Sequence, residues 1–189
     1  MANSKPYESD QDLLSPNRNF APITSEIDEQ GMLKVGGCNL SFLAERYGTP
    51  LYVIDEATIR AACKAYREAL KKYYPGPSLA LYASKANSSL AISNLIASEG
   101  LGVDAVSEGE LITALKGGVP SSQIVLHGNN KSDKELLLAY ENGVKIVIDN
   151  QHDIDRLTEL VPSGEKLADT SIAVLFVILV FFLVVNSSM

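Results

Sequence analysis

Sulfur and imidazole are scarce in this 189-residue chain. Its two cysteines, Cys38 and Cys63, lie far apart and form no Cys-x-x-Cys pair. Its two histidines, His127 and His152, cannot join them at any recognised zinc spacing. No metal site is therefore expected, and a reducing compartment is the simplest setting. Positive charge is also short. Sixteen Lys and Arg against 23 Asp and Glu give a formal net charge of -7, and the pI of about 4.8 argues against a nucleic-acid partner. Three signatures are missing as well. Without GxGxxG or GxxxxGK[ST], neither a dinucleotide nor a P-loop nucleotide is supported, and without GxSxG there is no nucleophile elbow. The first residues hold no basic stretch followed by an apolar one, so no signal peptide is expected.

What is present is ordinary globular material, 46% hydrophobic and 21% charged, enough for one domain with a sizeable core. Residues 1–32 are polar and carry Pro6, Pro16 and Pro22, which reads as a flexible arm. From Leu33 to Leu40 the Gly36-Gly37 pair suggests a small hairpin. Ser41 to Tyr47 reads as a helix ended by Gly48, and Leu51-Tyr52-Val53-Ile54 as a buried strand. Asp55 is placed to cap a following helix whose apolar stripe includes Ile59, Ala62, Cys63, Tyr66, Leu70 and Tyr73. The two tyrosines on that stripe are expected to pack into a core, and Pro75-Gly76-Pro77 stops the helix.

Beyond it the sequence repeats. Apolar runs begin roughly every 22 residues, each followed by a helical stretch. The expected strands are Leu79 to Ser84, Gly102 to Val106, Ile124 to Leu126 and Lys145 to Ile148. The expected helices are Ser88 to Ser98, Glu108 to Lys116, Ser132 to Glu141 and Gln151 to Leu160. Gly100, Gly117-Gly118 and Gly143 follow helix ends, where a left-handed cap wants glycine. Strands separated by single helices mean βαβ units and a parallel sheet. So short and regular a period suits a (β/α) barrel better than an open doubly wound sheet, although four units do not decide it.

In such folds ligands are met at the C-terminal strand ends. Those positions hold Lys85, then Asp104 with Ser107, then His127-Gly128-Asn129-Asn130, and then Asp149-Asn150. Ser107 and Asn150 read as helix caps, and Asp149 is open between cap and site. Lys85 has two readings. It is either the first solvated residue after a strand, or an amine whose apolar setting eases loss of its proton and makes it a nucleophile toward carbonyls. The second points to a Schiff-base enzyme or a pyridoxal-phosphate protein.

Three segments carry a family resemblance. Tyr82-Ala83-Ser84-Lys85-Ala86-Asn87 resembles the cofactor-lysine motif of the alanine-racemase-like, group IV pyridoxal-phosphate (PLP) decarboxylases. Gly102-Val103-Asp104-Ala105-Val106-Ser107-Glu108-Gly109-Glu110-Leu111 is similar to their next signature. His127-Gly128-Asn129-Asn130-Lys131-Ser132 resembles the diaminopimelate decarboxylases among them. The resemblance runs from about Leu33 to about Ala168. It implies a partial (β/α) barrel over 33–168, PLP bound covalently through Lys85, and Asp104, Glu110 and His127 on the cofactor side. It also implies an amino-acid substrate that loses its α-carboxylate, and the lysine-biosynthetic reaction on meso-diaminopimelate. Family members are homodimeric cytoplasmic enzymes with a complete eight-fold barrel and a β-rich second domain. The ring-stacking histidine, glycine-rich phosphate loop, pyridine-pairing acid, substrate tyrosine and cross-dimer cysteine of that family have no counterpart here. These residues alone are therefore expected to be inactive. The rival expectations are a PLP-binding protein without turnover and a membrane-anchored remnant without cofactor.

The family pattern stops near Ala168. Residues 169–189 contain an uncharged apolar run, Ile172 to Val185, long enough as a helix for about 21 Å against a hydrocarbon core of about 30 Å. It reads as a borderline membrane anchor, a buried strand, or a tail out of register with the family. All three stay open.

Overall fold

The computed structural model describes residues 21–161, in two units that divide within one helix, at Ala61–Ala62. The first unit contains three short strands, β1 (Glu26–Ile27), β2 (Leu33–Val35) and β3 (Cys38–Asn39), paired antiparallel in that order. The β2–β3 hairpin turns through Gly36 and Gly37, at φ 58° and 75°, the left-handed values that a two-residue hairpin turn demands. β1 falls in the stretch expected to be an arm. Its register, Glu26 opposite Lys34 and Ile27 opposite Leu33, gives it a ladder that no periodicity over two residues could announce. Asn39 accepts from the Phe42 amide at 3.1 Å and opens α1 (Leu40–Tyr47), which Gly48 ends. Asp55 caps α2 (Glu56–Tyr73) by accepting the Thr58 amide at 3.1 Å.

Two expectations fail here. Residues 51–54 form no strand, and all four side chains are exposed, Tyr52 at 93%. An apolar run argues for burial but cannot supply a ladder partner, and none exists for this stretch among the described residues. On α2 only Cys63 is buried. Tyr66 is half-buried, but Tyr73 is exposed, with the Lys72 ammonium 4.8 Å from its ring. Helical spacing puts Tyr73 on the stripe, but at the last turn that stripe has run past the packed surface.

The second unit holds the four expected repeats. They are β4 (Leu81–Ala83), α3 (Leu90–Ser98), β5 (Gly102–Ala105), α4 (Glu108–Lys116), β6 (Ile124–Leu126), α5 (Asp133–Glu141), β7 (Lys145–Ile146) and α6 (Gln151–Leu160). The strands form one parallel sheet in chain order, with Tyr82 opposite Val103, Asp104 opposite Val125 and Leu126 opposite Ile146. This is an α/β fold with a parallel sheet. Val103, Ala105, Ile124, Leu126 and Ile146 are almost wholly buried, as are Ile96, Leu111, Leu136 and Leu157 of the helices. Each such Val, Leu or Ile side chain contributes roughly 1.5–3 kcal/mol on leaving water.

Caps place the helices. Ser107, Ser132 and Asn150 each accept an amide from the first turn of α4, α5 and α6. At α5 the box is reciprocal, because the Ser132 amide donates back to Glu135 Oε2 at 2.8 Å. Ser132→Ala is expected to cost about 1 kcal/mol, read as a lowered denaturation midpoint with unchanged slope. Among the described residues no helix is long and apolar enough to cross a membrane. The arm before residue 21 and the apolar segment 172–185, with its anchor reading, lie outside the described residues.

Candidate active site

Each strand of the parallel sheet ends on the same rim, and the first rim residue of interest follows β4 directly. Ser84, Lys85 and Ala86 form one 3-10 turn. Ser84 is buried and Lys85 exposed, so the turn presents the lysine outward while the serine anchors it. The Ser84 hydroxyl lies 2.8 Å from the Asp104 carbonyl oxygen and 2.7 Å from Glu110 Oε2. Of the two readings of Lys85, its exposure matches the solvated residue after a strand and not the apolar setting, because the chain leaves β4 through a turn instead of continuing the strand.

Asp104 projects from β5. Its Oδ1 is buried with no hydrogen-bond partner, and it lies 3.6 Å from His127 Nδ1. Burial pushes the Asp104 carboxyl above its ordinary value, against the opposing pull of His127 and of Lys85, while Glu110 pushes the same way as burial. His127 is fixed by its amide, which donates to the Ala105 carbonyl at 2.8 Å. The next residue, Gly128, has φ 114°, a backbone state that L side chains rarely adopt. That turn swings Asn129 and Asn130 around the rim.

Together Lys85, Asp104, His127, Asn129, Asn130 and Glu135 border a concave pocket of about 520 Å³. A second hollow of about 390 Å³, bordered by Arg67, Tyr74, Leu79 and Gly100, lies at the N-terminal strand ends. Ligands of parallel βα sheets are met at the other end. Three of the four expected residues, Lys85, Asp104 and His127, therefore meet at one pocket. Glu110 stands behind it, with Oε2 accepting from the Ser84 hydroxyl and from the Val106 amide at 2.7 Å. It ties the ends of β4 and β5 together.

Two contributors escaped sequence reasoning. Lys131 is buried, donating to Asp153 Oδ2 at 2.6 Å and to Asp149 Oδ1 at 3.1 Å. Its ammonium holds the Asp149 carboxyl below its ordinary value. Glu135 Oε1 accepts the Glu108 amide at 2.9 Å while Oε2 takes Ser132. Burial alone would raise the Glu135 carboxyl, but these hydrogen bonds and Lys131 bring it below its usual value. The signal available was spacing, an acid three residues past a serine cap. Lys131 stands in the segment that resembles the diaminopimelate decarboxylases, but nothing in its local pattern marks it as buried, because lysine is normally exposed.

Asp104 makes stability depend on pH. Its folded state holds a proton more tightly than the unfolded chain does. Its contribution is therefore fully present below the ordinary aspartate range and is lost as pH rises through the raised folded value. Asp104→Asn cannot ionise. It is expected to match the parent in acid and to melt above it at neutral pH, checked by thermal unfolding at several pH values.

A parallel βα sheet that brings a lysine, a largely buried carboxylate and an imidazole to one rim places the chain among α/β proteins with a pocket at the C-terminal strand ends. Residues 56–176 match the family described as the pyridoxal-dependent decarboxylase, pyridoxal binding domain. The chain belongs to that family. It is 42% identical over 154 residues to a diaminopimelate decarboxylase of Synechocystis, covering 77% of this chain and 33% of that one. It is 46% identical over 142 residues to that of Bacillus subtilis, covering 75% and 32%. The crystal structure of diaminopimelate decarboxylase from M. jannaschii with L-lysine superposes with a TM-score of 0.69 at 37% identity, covering 73% of this chain and 32% of that one. The chain spans about a third of the length of the curated relatives it matches.

Proposed function

We propose that this chain binds PLP covalently through Lys85 and supplies the cofactor-binding part of a diaminopimelate decarboxylase-type carboxy-lyase. The observation that carries this reading is the convergence of Lys85, Asp104 and His127 on one pocket, within the segment that matches a pyridoxal-binding family. The residues fit the group. The pocket volume lies within the range of small-ligand sites, Lys85 presents its amine at the rim, and Asp104 Oδ1 is a buried acceptor whose neighbour, His127 Nδ1, stands at 3.6 Å, beyond hydrogen-bond distance. PLP, when bound, supplies a carbonyl for a lysine amine and a ring that takes up the electron pair left as a carboxylate departs.

The protein residues divide the work around it. Lys85 holds the cofactor. Asp104 and His127 face each other at 3.6 Å and can share a proton between Oδ1 and Nδ1 beside it. Glu110 acts through Ser84, keeping the lysine turn seated against β5, so it is a positioning residue. The four βα units are read as an arc of a (β/α) barrel over 33–168, with an arm at 1–32 and an apolar segment at 169–189. The substrate is an amino acid, with meso-diaminopimelate favoured by the relatives, and the barrel portion is cytoplasmic. Membrane contact through 172–185 remains part of the proposal and is checked separately, by vesicle flotation of the full chain.

The test is chemical trapping. The full chain is mixed with PLP, reduced with borohydride and mapped by peptide mass. One reduced pyridoxyl group on Lys85 is expected. A chain of unaltered mass sinks the proposal, whereas an adduct without carbon dioxide release from meso-diaminopimelate would leave a binding protein without turnover.

A further inference from the structure

Among the described residues Lys131 and Asp153 are the buried charged groups, each side chain 1% exposed. Taking two charges out of water is unfavourable, and well-packed apolar residues would often serve stability as well. What a buried pair can do better is select one arrangement of the chain. Lys131 stands at the far end of the rim loop that begins with His127. Its partners belong to the next repeat. Asp149 follows β7, and Asp153 lies in the first turn of α6. Asn150 organises that side, donating to Asp149 Oδ1 at 2.8 Å and accepting the Asp153 amide at 2.9 Å. The loop is therefore held at both ends. The His127 amide is pinned to Ala105, and the Lys131 ammonium is pinned between two carboxylates, with Ser132 beside it locked to Glu135. The stretch between them, turning at Gly128, borders the pocket.

We propose that Lys131 is a positioning residue of the pocket: its buried ion pairs to Asp153 and Asp149 fix the 127–131 loop so that the His127 ring faces Asp104. Lys131 itself need not touch a ligand. The inference rests on the PLP reading only where ligand affinity is concerned, since loop placement can be read in the chain alone.

The experiment uses the full chain with labelled imidazoles. Two histidines give two sets of ring signals, assigned with His152→Gln. Lys131→Met alone strands two carboxylates, so it is paired with Lys131→Met/Asp149→Asn/Asp153→Asn, which removes the ionic lock at nearly constant volume. The expected result is a triple variant with parental far-UV circular dichroism, an unmoved His152 signal and a displaced or broadened His127 signal. PLP affinity should fall about tenfold, a loss of about 1.4 kcal/mol. An unmoved His127 signal in either folded variant overturns the proposal. If neither variant folds, Asp149→Asn decides, because it removes only the more exposed partner and keeps the Lys131–Asp153 pair. A smaller displacement of His127 supports the proposal, and none overturns it. Failure of the parent chain to take up PLP would count against the proposed function alone, because the His127 signal is read without cofactor.

Discussion

Lys85→Ala is expected to abolish the borohydride-fixed pyridoxyl adduct while leaving the fold in place. Lys85 is exposed on a short turn after β4, and substitutions at such positions usually change stability by no more than about 0.5 kcal/mol. The chemical effect is far larger. An amine held beside a bound carbonyl gains a proximity advantage that free lysines lack, so adduct yield should drop on the order of a hundredfold or more. Lys85→Arg should behave the same way, because a guanidinium keeps its proton at any working pH and cannot attack. Quantitative peptide mapping of parent and variants under identical reduction checks this. Undiminished labelling of Lys85→Ala would mean that another lysine is the cofactor residue. Lys131, which also borders the pocket, would be the first to inspect.

The second large effect belongs to Gly102, at the start of β5. A Cβ there would lie 2.1 Å from the Gln123 carbonyl oxygen and 2.6 Å from Leu81 Cδ2. The leucine could rotate away, but the carbonyl is backbone and cannot yield without parting β5 from β6. Overpacking usually costs about 1–3 kcal/mol, and a backbone collision belongs at or above the top of that range. For a chain of this size about 3 kcal/mol is a fall in Tm of roughly 6–12 °C. Gly102→Ala should therefore melt far below the parent or fail to accumulate folded. Gly109→Ala is the matched control. Nothing lies within 4 Å of its added Cβ on α4, and helix propensity favours alanine by up to about 1 kcal/mol. Equal melting of the two variants would show that the close approach at Gly102 does not constrain the sheet.

The repeats between Leu79 and Leu160 were readable because burial and period agree there. Ile124–Leu126, Glu108–Lys116 and Gln151–Leu160 have the boundaries the pattern implies. Around Leu79–Ser84 and Lys145–Ile148 the apolar runs are longer than the paired strands, although single backbone bonds, from the Gly102 amide to the Ala80 carbonyl and from the Val147 amide to the Leu126 carbonyl, carry the pairing one residue further. Residues 51–54 failed for the opposite reason, since a ladder needs a partner and composition cannot name one. At the site, strand-end logic reached Lys85, Asp104 and His127. It could not foresee that Glu110 would face the serine beside the lysine, because a carboxylate in the first turn of a helix looks like any acid near an N-terminus. Lys131 was opaque in the same sense, as its burial depends on two aspartates some twenty residues away.

Strand order in the parallel sheet equals chain order, and paired residues are about twenty positions apart at every step. That arrangement bears on how the chain is made. Each strand finds its neighbour in the repeat just synthesised, so no pairing has to wait for a distant part of the sequence. Loop closure over such short spans is inexpensive in entropy, and topologies built from local contacts fold fast. On the ribosome the sheet can grow one repeat at a time. Lys85, in the first of those repeats, would be in place while the strands that complete its pocket were still emerging.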